Sequence, residues 1–399
     1  MINSIKNILR GCPLTYKLGT KYRSWEQSRK IEKEQAYYEQ KANELGVSRD
    51  FSIEKVKNQL KEKLSKRNIF PQKKPKENLH IVYASRPVPW DTQNIVPALK
   101  KFSRVTTYFY SDYGFNDSSK ERSENRYEMN KHFINFLRNT NSEYPIDLIL
   151  TYYSGAQIDR ETIECINNME IITCSFHLDD RLSFKGKFKK GHWSGPVNVC
   201  KSYDLNLTQA PESLVKYRVE GAIVMLWPLA ANHEFFYPRG NSFKYDVSFV
   251  GSAHGNRKPF IDYLLKGGIK VETFGKGWLN GFVPNEKVPE IFSSSRIILN
   301  FGDIAYTDYQ CGKCRDFEIP MSGGLMLTSH NEHLSKYFKL DEEVFTFRNR
   351  EECLNQIHRL LADETLCERA RKTSRERALR EHTWEHRIQL LLQTLGYHQ

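Results

Sequence analysis

Two stretches in the second half of the chain carry the residue types that bind phosphate. In Gly251-Ser-Ala-His-Gly-Asn-Arg-Lys258, Gly251 and Gly255 let the backbone approach an anion closely, and Arg257 and Lys258 bring two cations to the start of the following helix. Such a turn also occurs as plain scaffolding in α/β proteins, and both readings stand. The second stretch opens at Asn300-Phe-Gly-Asp303 and resumes at Lys313-Cys-Arg-Asp-Phe-Glu-Ile-Pro-Met-Ser-Gly-Gly324. Lys313 and Arg315 add cations, Glu318 is a carboxylate for ribose hydroxyls near a helix start, and Gly323 and Gly324 make the tight return to the next strand. Its alternative is a surface helix with an ordinary ion pair. A ligand carrying phosphates and a ribose needs close backbone, cations and a carboxylate, and these two stretches offer all three.

The first half offers Ser175-Phe-His-Leu-Asp-Asp-Arg181. His177, Asp179 and Asp180 follow a predicted strand, and each can orient or deprotonate a hydroxyl. Either aspartate can instead cap a helix or pair with Arg181. The Trp90-Asp91 turn after the first strand is a second candidate of the same kind.

Positioning these residues requires alternating strands and helices. Short apolar runs at 79–84, 105–110, 146–151, 170–175, 205–208 and 222–226 alternate with helical segments near 92–102, 125–139, 157–168 and 211–219. The pattern restarts with strands at 245–251, 269–274, 296–300, 325–328 and 343–347, and helices near 257–266, 312–322, 349–362, 365–380 and 383–396. This spacing predicts two doubly wound parallel sheets, with a hinge in 229–241 and the ligand in the crevice at the carboxyl ends of the strands. The expected division is a helical basic extension over 1–77, an N-terminal Rossmann-like domain over 78–235 and a C-terminal one over 236–399. Residues 23–68 read as charged helices with few apolar positions at helical spacing. That favours a solvated arm whose deletion, over 1–70, leaves the body folded.

The formal charge of +12 is unevenly spread: residues 1–77 hold 19 Lys and Arg against 9 Asp and Glu, and the remainder 41 against 39. A nearly neutral body argues against nucleic acid as a partner, whereas the basic extension permits peripheral contact with anionic lipid. Eight scattered cysteines read as reduced thiols of a cytoplasmic protein. Cys311-Gly-Lys-Cys314 lacks the second pair that a zinc ribbon needs, so no metal is expected. No G-x-G-x-x-G follows the first strand, where Ser85-Arg-Pro-Val-Pro89 stands, which disfavours a nicotinamide-dependent oxidoreductase.

Residues from about 245 to 390 resemble the glycosyltransferase-like domain of the CgeB (spore maturation) family, a branch of the GT-B glycosyltransferases. The resemblance rests on Phe249-Val-Gly251 with Arg257, Phe274-Gly-Lys-Gly-Trp278, Leu299-Asn300, Lys313-x-Arg315-x-Phe-Glu318, Ser322-Gly-Gly324, Leu327-Thr328 and His382-Thr-Trp384-x-x-Arg387. It implies a GT-B fold of two Rossmann-like domains facing a cleft. The implied activity is transfer of a sugar from a nucleotide-sugar donor to a glycan or glycoconjugate acceptor in bacterial surface polysaccharide synthesis, without a metal or other cofactor. It places Gly251, Arg257, Lys258, Asn300, Lys313, Arg315, Glu318, Gly323 and Gly324 at the donor. Related retaining enzymes carry an E-x7-E motif; Glu318 matches its second position, but Gln310 stands at the first. That departure leaves a catalytically inactive, nucleotide-sugar-binding scaffold as the alternative.

Overall fold

The protein is described by a computed structural model over residues 13–86, 88, 91–116, 122–189, 191–240, 242–304, 306–307 and 309–398. Its chain forms two compact units, each around one parallel sheet. Glu34–Asn232 and the residues from Trp384 on make a six-stranded unit; the described residues up to Lys33 and His233–Thr383 make a five-stranded one.

In the six-stranded unit, β1 (His80–Ser85), β2 (Arg104–Phe109), β3 (Leu148–Thr151), β4 (Ile172–His177), β7 (Leu205–Thr208) and β8 (Val224–Leu226) lie in the order β2-β1-β3-β4-β7-β8. Neighbouring strands are parallel throughout. β1, β3, β4 and β7 are buried along their length, which is why they read as continuous apolar runs and not as alternating ones. A two-stranded antiparallel hairpin, β5 (Phe188–Lys189) and β6 (His192–Trp193), interrupts the alternation between β4 and β7. Nothing in the apolar pattern announces it, because its strands are two residues long.

The five-stranded unit repeats the plan with β9 (Tyr245–Val250), β10 (Val271–Phe274), β11 (Ser295–Asn300), β12 (Met326–Ser329) and β13 (Phe345–Phe347), ordered β10-β9-β11-β12-β13. Its core joins Val247, Phe249, Ile297, Leu299, Leu327 and Phe345 to Ile261, Ile357 and Cys367 from the covering helices. In each sheet the winding reverses beside the first strand, between β1 and β3 and between β9 and β11. Chain connections leave such a pair of strands in opposite directions, which opens a crevice at their carboxyl ends.

The expected solvated arm is corrected by the structure. Helix Ile53–Ser65 is capped by Ser52, whose hydroxyl accepts from Lys55 N at 3.4 Å, and it buries Val56, Leu60 and Leu64, spaced four residues apart. In helix Pro13–Glu44, Tyr38 is fully buried, its ring edge-on to Phe184 at 5.3 Å and its hydroxyl donating to Glu220 at 2.7 Å. Lys216, 0% exposed, donates to Glu34 Oε1 at 2.9 Å. Arg67 clamps both oxygens of buried Asp204 at 2.7 and 2.8 Å and donates to the carbonyls of Asn167 and Ile171. The arm is therefore stitched into the six-stranded unit by buried charge as much as by apolar area, a form of attachment invisible to hydrophobic periodicity.

The far end of the chain departs from the expected division as well. Helix Trp384–Leu395 belongs to the six-stranded unit. Arg387 Nε donates to the Pro228 carbonyl at 3.0 Å, Trp227 Nε1 donates to the Arg387 carbonyl at 2.9 Å, and the Trp227 and Trp384 rings lie 5.4 Å apart. The boundaries at 77/78 and 235/236 thus give way to crossings at 33/34, 232/233 and 383/384.

Removing one partner of a buried ion pair leaves an uncompensated charge, which costs about 3–5 kcal/mol. Glu34→Ala should lower the unfolding free energy of the full-length chain by that amount in denaturant titrations followed by circular dichroism. A change within about 0.5 kcal/mol, the usual size for a surface substitution, would mean that the arm is solvated after all.

Candidate functional site

Of the predicted donor residues, Gly251, Arg257, Lys258, Asn300, Lys313 and Arg315 follow the carboxyl ends of β9 and β11, whereas Gly323 and Gly324 precede β12 and lie at its amino end. Arg257 opens helix Arg257–Lys266, and its side chain turns back into the crevice between β9 and β11. There Nη1 donates to the Ser252 carbonyl at 3.2 Å and Nη2 to the Phe301 carbonyl at 3.4 Å, so one guanidinium ties the loop after β9 to the loop after β11. The Phe249 and Phe301 rings lie within cation–π range, at 5.4 and 5.8 Å. Burial pushes its pKa down to about 10, the charge of Arg315 adds to this, and Asp303 opposes it. Its Nε has no hydrogen-bond partner among the described residues. Lys258, one position on, is exposed.

Asn300, at the end of β11, is fully buried and organises the second stretch. Its amide donates to Asp316 Oδ1 at 2.6 Å and to Thr328 Oγ1 at 3.2 Å, while its oxygen accepts from Arg315 Nε at 3.2 Å. Asp316 Oδ2 accepts from Lys313 N at 2.8 Å, which closes the turn into helix Arg315–Met321. Burial holds the Asp316 carboxyl at about 6, against the pull of Lys313 and Arg315. Lys313 Nζ donates to Cys311 Sγ at 3.0 Å.

Among the described residues, no carboxylate lies within ion-pairing distance of Arg257, Lys258, Lys313 or Arg315. Two acids act on this group from a distance: Asp316 interacts with Lys313 and Arg315, and Asp303 with Arg257 and with His254, whose pKa is lowered by burial and then by Arg257. Asp303 is itself engaged, accepting from Gln310 Nε2 at 2.9 Å across an isolated antiparallel bridge. Gln310 Oε1 in turn accepts from Ser329 Oγ at 2.6 Å, and Ser329 Oγ accepts from Gly302 N at 2.8 Å. Asp303 and the Gln310 amide therefore stand together where the E-x7-E pattern has a first carboxylate. Sequence reasoning missed the pairing because it is made by an irregular loop without a periodic signal.

Other predicted donor residues have structural duties. Gly251 donates its N–H to the Phe274 carbonyl at 2.8 Å, and its own carbonyl accepts from Trp278 Nε1 at 2.7 Å, so this amide is spent on the sheet edge. Gly323 has φ +73°, and a Cβ at Gly324 would lie 2.7 Å from Ile298 Cδ1 and 3.0 Å from the Phe292 carbonyl. This pair makes the tight return that sets helix Arg315–Met321 against β12. Glu318 is 7% exposed within that helix, so its replacement touches packing as well as any ligand. Burial, followed by the charge of Glu318, holds the Cys314 thiol well above its usual range, which removes the thiolate that a redox pair needs. No three metal-ligating side chains converge among the described residues.

In the six-stranded unit, His177 is buried, and desolvation holds its pKa at about 3. A ring of that pKa is neutral at physiological pH and a poor proton acceptor. Asp179 is exposed and its carbonyl receives Leu182 N and Ser183 N at the start of a helical turn. Asp180 is buried, accepts from the Tyr217 hydroxyl at 2.9 Å and is pushed up to about 6 by burial. Arg181 pairs with Glu212 at 2.9 Å. The three are thus neighbours in sequence with different surroundings. Asp91 lies at the carboxyl end of β1, beside the point where the winding reverses, and opens a five-residue π-helical turn. It is fully buried, accepts from Ser85 Oγ at 2.6 Å, and is raised by burial to about 7. Its neighbour Trp90 lies outside the described residues.

Residues 257–393 match the model of a family described as glycosyl transferase-like. No curated protein matches the sequence. Among solved structures, sucrose-phosphate synthase from Thermosynechococcus elongatus is similar with a TM-score of 0.56 at 12% identity, over 79% of this chain and 98% of that one. Anabaena Alr3699/HepE, solved in complex with UDP-glucose, gives 0.57 at 10% identity over 79% and 99%. A glycosyltransferase from Rickettsia africae ESF-5 gives 0.54 at 9% identity over 80% and 98%. The fold is GT-B: two parallel-sheet α/β domains with an N-terminal helix.

A carboxyl group raised from its ordinary 3.8 to about 7 keeps its proton in the native state after the unfolded chain has released it. Asp91 thus favours the native state at low pH and costs stability as pH rises from about 4 through about 7. Asp91→Asn removes this titration, so the wild type should lose melting temperature relative to the variant across that interval. Parallel melting curves at all pH values would place Asp91 in an ordinary solvated setting.

Proposed function

We propose that this chain is a glycosyltransferase that moves a sugar from a nucleotide-sugar donor to an acceptor hydroxyl. The observation that carries the reading is the group of cations at the β9–β11 crevice, Arg257, Lys313 and Arg315, which have no ion-paired carboxylate among the described residues. Such a group matches a diphosphate and stabilises the charge that develops as a nucleoside diphosphate departs. Arg257 is held in place by backbone carbonyls, while Lys313 and Arg315 are half-exposed. Fixed cations supply the role that a divalent ion plays elsewhere, so the reaction proposed here needs no metal or other cofactor. Glu318 holds the ribose, and Asp303 with Gln310 lies beside the donor sugar; transfer proceeds with retention of configuration.

The finer assignment is to the CgeB-like branch, acting in the cytoplasm on a glycan or glycoconjugate of a bacterial surface polysaccharide. Its basic N-terminal extension makes peripheral contact with the inner face of the membrane. The described residues include no helix long and apolar enough to cross a bilayer. Gln310 favours one other reading, a nucleotide-sugar-binding protein without turnover. Donor hydrolysis with UDP-, GDP-, ADP- and CMP-sugars separates the two.

UDP or GDP should raise the melting temperature in EDTA, and UDP is the first probe because the Anabaena neighbour was solved with a UDP-sugar. Hydrogen bonds to charged groups contribute about 1.5–3 kcal/mol, so Arg315→Ala and Glu318→Ala should each weaken binding roughly ten- to a hundredfold in calorimetry. Glu318→Gln keeps the helix packing and should retain part of the affinity. Stabilisation that vanishes on chelation and returns with Mn²⁺ would overturn metal independence, and unchanged affinity in folded Arg315→Ala and Glu318→Gln would move the donor elsewhere.

A further inference from the structure

We infer that the β5–β6 hairpin of the six-stranded unit is a docking surface for an anionic lipid bilayer, separate from the N-terminal extension and independent of the reaction proposed above. Between Asp180 and Asp204 the chain carries six Lys and Arg residues and no Asp or Glu. Near the middle of this stretch, Phe188 and Trp193 stand directly across from each other in register, their rings 5.1 Å apart. They remain 59% and 37% exposed. Lys187 and Lys189, on either side of Phe188, are exposed too, and neither has an ion-pair partner among the described residues.

The hairpin's footing is ordered by hydrogen bonds. Lys187 N donates to Ser194 Oγ at 2.8 Å and Ser194 N donates to the Lys187 carbonyl at 2.9 Å. Gly195 N donates to the Lys185 carbonyl at 3.0 Å, and Gly155 N donates to the Gly195 carbonyl at 3.2 Å, which joins the hairpin to the loop after β3. Ser154 Oγ adds a bond to the Ser194 carbonyl at 2.9 Å. A footing built in this way holds the two rings out in water as an adjoining pair between exposed lysines.

Charge and ring chemistry together select that partner. Aromatic rings settle at the boundary between headgroups and acyl chains, and lysine stems are long enough for the ammonium groups to reach lipid phosphates while neighbouring rings insert. A soluble polyanion would engage the lysines and leave both rings in water, and a neutral glycan would engage the rings and leave the lysines idle. The hairpin segment itself carries no acid that a negative leaflet would repel.

The test uses the full-length protein and vesicles of phosphatidylcholine with or without phosphatidylglycerol. Lys187→Glu/Lys189→Glu should weaken binding to the anionic vesicles more than tenfold at low salt, since each surface lysine contributes about fivefold. Phe188→Ser/Trp193→Ser should weaken binding at high salt, where the charge contribution is screened. Brominated lipids should quench wild-type fluorescence more than that of Trp193→Phe, a variant that keeps an aromatic ring and the fold. Vesicle affinity unchanged in both double variants would overturn the inference and leave any membrane binding to the N-terminal extension. So would equal quenching of wild type and Trp193→Phe, with vesicles displaced by a soluble polyanion, which would assign the surface to an acidic soluble partner.

Discussion

A guanidinium taken out of water must find acceptors, and the crevice of the five-stranded sheet is arranged around how Arg257 finds them. The carbonyls of Ser252 and Phe301 belong to the loops that leave β9 and β11, the two strands between which the winding of the sheet reverses. Joining those loops through one buried cation fixes the width of the crevice and places a positive charge at its floor. Arg315 and Lys313 then have to be held near a charge of their own sign. Asn300 and Asp316 do this, the first accepting from Arg315 and the second from the Lys313 backbone. The charge of Arg315 thus acts against that of Arg257 across a hydrogen-bonded frame.

The same trade recurs away from the crevice. Glu34 with Lys216 and Arg67 with Asp204 place full charges in the interior of the six-stranded unit. Buried pairs contribute little net stability compared with apolar packing, yet they tolerate very little misplacement. They fix how a polar helix lies on its unit, which a surface of few apolar side chains does poorly. The C-terminal helix is fixed by Arg387 on the carbonyls of Pro228 and Leu229.

Several residues chosen for their chemistry turn out to be engaged by the scaffold. Gly251 gives its amide to β10, Asp180 holds the Tyr217 hydroxyl, and Gly323 and Gly324 shape a return that a side chain would obstruct. Motif residues of these types are required wherever a loop must turn tightly at a strand end, whatever the loop then binds. What distinguishes the site is the imbalance of charge that remains after scaffolding is satisfied, and that quantity is a property of the assembled edge.

The amino-acid sequence by itself determined the strands of both sheets and most of the helices between them, though not the short helix Val288–Ser293, because a parallel strand covered on both faces must be a short apolar run and a covering helix must repeat every three to four residues. It also determined which segments carry cations, since Arg257 lies in the segment after β9 and Lys313 and Arg315 in the segment after β11. Only the tertiary structure decided the partners. Glu34 meets Lys216 182 residues away, Arg67 meets Asp204 across 137, and Trp227 meets Arg387 across 160. Asp303 meets Gln310 within a loop that has no period at all. Local pattern records which face of a segment is apolar, whereas a buried charge is specified by whichever distant group neutralises it, and that group is known only once the chain has closed.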